Sequence, residues 1–193
     1  MNPRYLALGC RSRMSGLPPV RPCAIRASID GAARPPGQAM EIADLITPRS
    51  VVPQLRATNK RQALQELAKR AAAITGVHER TIFDVLIERE RLGTTGIGMG
   101  IGIPHGKLPG LDKLYGIFAR LERPIPFEAI DDQPVDLIFL LLAPETAGAD
   151  HLKALARVSR LLRDRPVCGK LRGTDSADAL YALLTDFTAS DAA

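Results

Sequence analysis

The sequence contains no tryptophan, and aromatic residues make up 4% of it. A folded core must therefore be assembled from Leu, Ile, Val and Ala. Cysteine is also scarce. Cys10, Cys23 and Cys168 are scattered, with no CxxC or short ligand spacing between them. This excludes a disulfide framework, argues against a structural metal, and suits a reducing compartment, so a cytoplasmic location is expected. No apolar run reaches the roughly 18 residues needed to cross a bilayer, so membrane insertion is not expected.

Acidic residues are nearly missing from residues 1–39, which hold six arginines (Arg4, Arg11, Arg13, Arg21, Arg26, Arg34) against Asp30 alone. That segment accounts for the whole formal net charge of +5, because residues 40–193 hold 20 basic and 20 acidic side chains. The basic character belongs to the tail, so a nucleic-acid function loses its support. Residues 1–39 also carry six of the 15 prolines and no sustained apolar period. They are expected to be a disordered Arg/Pro-rich extension. Met40 reads as the true start, with the upstream stretch an over-extended gene start.

From Met40 on, 46% apolar and 24% charged residues across the chain suffice for one globular domain over 40–193. Val51 and Val52 mark a strand over 49–54. Thr58 or Asn59 caps a helix over 60–74 with the stripe Ala63, Leu64, Leu67, Ala68, Ala71, Ile74, closed by Gly76. A second helix over 79–92 carries Ile82, Val85, Leu86 and Leu92 and ends at Gly93. Strict alternation of glycine with Ile97, Met99, Ile101 and Ile103 predicts one extended chain with an all-glycine face open to another backbone or a ligand. Residues 114–121 and 135–142 read as further strands, the second apolar on both faces and therefore central. Helices follow at 150–164, with the stripe Leu152, Leu155, Ala156, Leu162 and a stop at Pro166, and at 177–186, capped by Ser176. Interleaved strands and helices predict a layered α/β domain.

The glycine run is neither a phosphate-cradling P-loop nor a dinucleotide fingerprint, because the required Lys-Ser/Thr and strand–helix context are absent. Three histidines remain as chemistry. His105 lies in Ile103-Pro104-His105-Gly106-Lys107, where Pro104 should end a strand and Gly106 free the backbone beyond it. An exposed imidazole there can hold a phosphoryl group, or can be a plain surface histidine. Arg89 falls on the apolar stripe of its helix and needs an anion or an internal carboxylate such as Glu90. His151 opens the 150–164 helix behind Asp150, where free N–H groups favour an anion, or is simply solvated. Thr94 and Thr95 offer hydroxyls to a phosphate or to turn backbone. His78 reads as a solvated helix-entry residue and Cys168 as small core. A zinc site from His105, His151 and Cys168 has no short-spaced ligand pair and a neighbouring arginine against it.

The stretch Arg89-Glu-Arg-Leu-Gly-Thr-Thr-Gly-Ile-Gly-Met-Gly-Ile-Gly-Ile-Pro-His105-Gly-Lys-Leu108 resembles the active-site signature of the mannitol/fructose-type IIA domains of the bacterial phosphotransferase system. Pro126–Leu137 and His151–Leu162 agree with it in order and spacing, so the resemblance covers 40–187. It implies a mixed, roughly five-stranded sheet with helices on both faces. It implies that His105 is the phosphoryl acceptor, carrying phosphate as a tele-phosphohistidine intermediate, with Arg89 contacting the phosphoryl group and His151 beside the acceptor. Thr94 and Thr95 are the accompanying phosphate-binding candidates, and no metal or cofactor is implied. A stand-alone module with Ile-Pro-His-Gly-Lys-Leu is similar to the nitrogen-regulatory branch. There the donor is an HPr-like phosphocarrier (NPr), fed by a PEP-dependent enzyme I, and the output is regulation of target proteins by contact. The alternatives are a sugar-transport IIA component that passes phosphate to a IIB domain, and a regulatory binding module that takes no phosphate.

Overall fold

A computed structural model describes residues 40–186. The extension expected over 1–39 lies outside the described residues. Six strands, β1 (Val51–Leu55), β2 (Gly96–Gly98), β3 (Ile101–Gly102), β4 (His105–Leu108), β5 (Tyr115–Ile125) and β6 (Val135–Pro144), form one mixed sheet. Five helices accompany it: α1 (Lys60–Thr75), α2 (Glu79–Arg91), α3 (Gly148–Arg163), α4 (Arg165–Arg172) and α5 (Ala177–Asp186). The sheet order is β1-β5-β6-β3-β2, with β4 also on β6. β5 and β6 run antiparallel, whereas β1 on β5 and both β3 and β4 on β6 are parallel.

β6 is central because both of its faces are apolar. Ile138, Leu140 and Leu142 point into a core with Leu64 and Leu67 of α1 and Ile82 and Leu86 of α2. Leu137, Phe139 and Leu141 point into the opposite core with Val158 and Leu162 of α3, Leu171 of α4 and Leu180 of α5. Each alternate side chain thus finds a helix layer, and neither face is left to water.

α1 begins where the Asn59 side chain accepts from the Gln62 amide and ends at Gly76, whose φ of 74° lies in the left-handed region. His78 proves to be the cap of α2, its Nδ1 accepting from the Arg80 amide at 3.2 Å. Two helix faces depart from expectation. On α2 the buried residues are Ile82, Phe83 and Leu86, while Leu92 lies past the last turn and is 85% exposed. On α3 the buried stripe is His151, Ala154, Val158, Leu161 and Leu162, and Leu152 is 68% exposed. The helix also starts two residues earlier than expected, at Gly148. Pro166 does not simply stop α3. It occupies the first turn of α4, where its missing N–H costs nothing.

The glycine alternation is not one extended strand. β2 and β3 form an antiparallel hairpin whose tip bends at Gly98, Met99 and Gly100, all with positive φ. Met99, at φ 57°, is the strained non-glycine residue of the turn. The open glycine faces admit the protein's own segments. A Cβ on Gly96 would lie 2.8 Å from the Ala129 backbone, and one on Gly102 would lie 3.3 Å from the Phe127 ring. The expected strand therefore becomes two, and the sheet has six strands.

Candidate functional site

β3 and β4 keep a single register on β6. Ile101 faces Leu137 and Gly102 faces Ile138, and then His105 faces Leu141 and Gly106 faces Leu142. Pro104 breaks the ladder without shifting it, so His105 is the first residue of a strand rather than the last. The break releases the Ile103 carbonyl, which lies 2.9 Å from His105 Nδ1. A carbonyl only accepts, so Nδ1 carries the proton. The other ring nitrogen, Nε2, accepts from Arg89 Nε at 3.0 Å. Arginine cannot lose that proton, so two fixed partners select the same tautomer. The nucleophilic lone pair is on Nε2.

His105 is half-buried rather than exposed. Gly106 does not free a turn. A Cβ there would lie 2.6 Å from Val85 Cγ1, so its missing side chain lets α2 rest directly on β4. Burial, reinforced by the positive charge of Arg89, pulls the His105 pKa below its ordinary 6.5, against the opposing Ile103 hydrogen bond and Glu90. The ring is therefore neutral at pH 7, as a nucleophile requires.

Arg89 reaches the site from one turn beyond Val85. Its Nη1 donates to the Gly93 carbonyl at 3.1 Å. The carboxylate alternative for Arg89 does not hold with Glu90, whose oxygens take Lys60 Nζ at 3.0 Å and the Thr95 amide and hydroxyl at 3.1 and 2.6 Å.

His151 arrives from α3, its ring centroid 5.7 Å from that of His105 and tilted by 56°. It is 7% exposed, and its amide already donates to the Ala147 carbonyl. It therefore offers a ring and not the free helix-terminus N–H expected of it. Its Nε2 is buried without a hydrogen-bond partner. Burial first, then the neighbouring His105 and Lys107, lowers its pKa too. The tautomer of His105 is set by Ile103 and not by His151.

The hydroxyls of Thr94 and Thr95 have partners other than the imidazoles. Thr95 is buried with its hydroxyl donated to Glu90, and the Thr94 hydroxyl accepts from the Gly96 amide at 3.1 Å. Both steady the turn. Cys168 is buried in the other core, its Sγ donating to the Leu162 carbonyl, so it does not join the two histidines. Among the described residues no group of three or more His, Cys, Asp or Glu could hold a metal ion. No helix among them is long and apolar enough to cross a membrane.

Val85, Glu88, Arg89, Leu92, His105, Gly106, Lys107 and His151 line a shallow depression of about 420 Å³. Leu92 and Leu152 stand exposed beside Arg89 and His151 in the chain. A macromolecule carrying a small anionic group could seat on such a surface, with the anion met by a guanidinium and two rings.

Comparison with known proteins gives a consistent result. Residues 44–187 match the family model described as phosphoenolpyruvate-dependent sugar phosphotransferase system, EIIA 2. A nitrogen regulatory protein of Bradyrhizobium diazoefficiens is 60% identical over 145 residues, covering 75% of this chain and 95% of that protein. A fructose-specific EIIA component of Haloferax volcanii is 36% identical over 151 residues, covering 76% and 98%. The crystal structure of nitrogen regulatory protein IIA-Ntr from Neisseria meningitidis superposes with a TM-score of 0.71 at 31% identity, covering 75% of this chain and 99% of that one.

Proposed function

The chain belongs to the EIIA 2 family of the phosphoenolpyruvate-dependent sugar phosphotransferase system, and we propose that it is a phosphocarrier that accepts a phosphoryl group on His105 Nε2. The observation that carries this reading is the pair of hydrogen bonds on one ring, Nδ1 to Ile103 and Nε2 to Arg89, in an open depression.

The donor is a phosphohistidine on an HPr-like carrier (NPr), replenished by a PEP-dependent enzyme I. Nε2 of His105 attacks phosphorus in line. The new N–P bond forms as the donor's N–P bond breaks, and the electron pair returns to the donor's imidazole. No net proton transfer and no metal are needed between two imidazoles. Positioning and charge stabilisation supply the catalysis. Arg89 Nε must release the Nε2 lone pair and turn to an equatorial phosphoryl oxygen, keeping its donor satisfied throughout. His151, whose ring lies 5.7 Å from that of His105 and whose Nε2 has no hydrogen-bond partner, would donate from that nitrogen to a second oxygen when it carries a proton, with neither ring charged before the phosphate arrives.

The output is regulation of nitrogen-related targets by protein contact. This branch is favoured over sugar transport by the 60% identity to a nitrogen regulatory protein against 36% to a fructose-specific component. The test is incubation with PEP, enzyme I and the carrier. Wild type should gain one acid-labile phosphate, His105→Ala none, and Arg89→Ala should transfer roughly 10²–10³-fold more slowly, as when a transition-state donor is lost. Undiminished uptake in the His105 variant would refute the assignment.

A further inference from the structure

We infer that Glu90 is a positioning residue for the phosphoryl site, holding the end of α2 and the following turn so that Arg89 is aimed at His105. The inference rests on the reading of Arg89 and His105 just given, and adds to it a carboxylate that reaches neither the phosphate nor the imidazole.

The hydrogen bonds of Glu90 go to Lys60 and Thr95 rather than to His105. The Glu90 side chain is 8% exposed. An acid so deeply buried is costly unless its charge is met and its oxygens are filled. Here both conditions hold. Lys60 Nζ reaches Oε1 at 3.0 Å from α1, and the Thr95 hydroxyl reaches Oε2 at 2.6 Å. The Thr95 amide lies 3.1 and 3.2 Å from the two oxygens. Lys60 is itself tethered to Glu128 at 2.5 Å, and Thr95 continues into β2 and accepts from the Ile103 amide at 2.9 Å. One carboxylate thus joins α1, α2 and the entry to the hairpin.

The arrangement matters because of what lies between Glu90 and Thr95. The Gly93 carbonyl in that turn is the second acceptor of Arg89, at 3.1 Å. With Thr95 bound to Glu90, the turn is folded back on the last turn of α2, and Gly93 lies within reach of Nη1. Arg89 is then held at two points, Gly93 and His105. The neighbouring hydroxyl explains why Thr95 is buried and why it is a threonine: its proton completes the carboxylate. A structural ion pair alone would need Lys60 and Glu90. It would not need Thr95 to bring its amide and hydroxyl to the same acid.

Two substitutions test this. Glu90→Gln removes the charge and keeps the side-chain length. Thr95→Val removes one donor with no change of charge and little of shape. Both should fold, because Lys60 keeps Glu128 and the cores are untouched, and circular dichroism and thermal melting check this. Phosphate uptake from the phosphorylated HPr-like donor should fall roughly 10–10²-fold in maximal rate, with little change in the donor concentration at half-maximal rate. Misplacement of a catalytic group by about 1 Å has effects of this size.

The decisive readout is the titration of His105, followed by nitrogen-detected NMR. Glu88, Arg89, Glu90, His151 and Lys107 are the charged or titratable groups around it. Arg89 lowers its pKa and Glu90, by a smaller amount, raises it. If Glu90 acted only through its charge, Glu90→Gln would lower the pKa. If Glu90 aims Arg89, the loosened guanidinium leaves the ring and the pKa rises in Thr95→Val, where no charge is lost; in Glu90→Gln the same rise opposes the fall from the lost charge. An unchanged or lowered His105 pKa in Thr95→Val, or wild-type rates in both variants, overturns the inference. A wild-type protein that takes up no phosphate would instead overturn the proposed function, and the NMR titration would still decide the role of Glu90.

Discussion

Gly106→Ala should disable phosphoryl uptake by moving a helix rather than by touching the acceptor. The added Cβ would start 2.6 Å from Val85 Cγ1, where ordinary contact begins near 3.4 Å, so a gap of about 0.8 Å must open. β4 cannot yield, because it is laddered to the central strand β6 from His105 to Leu108. Val85 cannot easily rotate, because a β-branched side chain in a helix has one strongly preferred rotamer. The remaining adjustment is for α2 to lift, carrying Arg89 one turn away and lengthening its 3.0 Å bond to His105. Overpacking of this kind costs about 1–3 kcal/mol of stability. A displacement approaching 1 Å should cost on the order of 10²-fold in transfer rate. Denaturant melts and donor-dependent uptake measure the two effects. Val85→Ala removes the clashing methyl, so the double variant should recover most of the lost rate and be more stable than the two single effects added together. The reasoning is refuted if Gly106→Ala transfers at the wild-type rate, or if Val85→Ala gives no rescue.

Uptake should be flat above about pH 6.5 and fall only in more acid solution, because burial and Arg89 hold the His105 pKa below the ordinary histidine value. In Arg89→Ala the inflection should move to higher pH, since a charge opposing protonation has gone; a rate profile at saturating donor reports both. Leu92, 85% exposed beside the site, should act in docking alone. Leu92→Asp is expected to raise the donor concentration for half-maximal uptake severalfold with the maximal rate and the melting temperature unchanged, and a fall in maximal rate instead would reject that role.

The sequence made the layered fold and the central strand legible because the signals were local. α1 shows its stripe, its Asn59 cap and its Gly76 stop within 18 residues, and β6 announces burial on both faces by being apolar from Leu137 to Ala143. The hairpin was hidden because alternation of glycine and isoleucine satisfies a strand and a turn equally well, and only the meeting with Ala129 and Phe127 chooses between them. The stripe of α3 is not legible from hydropathy, because its buried face includes a histidine and hydropathy favours Leu152 over His151. At the site, His105, Arg89 and His151 stood out as polar residues in unusual company. The Ile103 carbonyl and the packing role of Gly106 had no comparable signal, since a backbone acceptor and a missing side chain acquire meaning only once Pro104 has broken the ladder and α2 has settled on β4. Glu90 adjoins Arg89 in the sequence, yet its partners come from 5 and 30 residues away.

The unbroken register across Pro104 has a consequence for motion. His105 belongs to the sheet, whereas the Arg89 guanidinium bonded to it belongs to the final turn of a helix and a glycine-containing connection. Breathing of the native state proceeds first through helix ends and connections and last through central strands. Amide exchange should therefore be faster around residues 91–94 than at Leu141, opposite His105. The two halves of the site then part by fraying of one side only, leaving a bare imidazole still anchored in place, ready to be re-covered when the turn closes again.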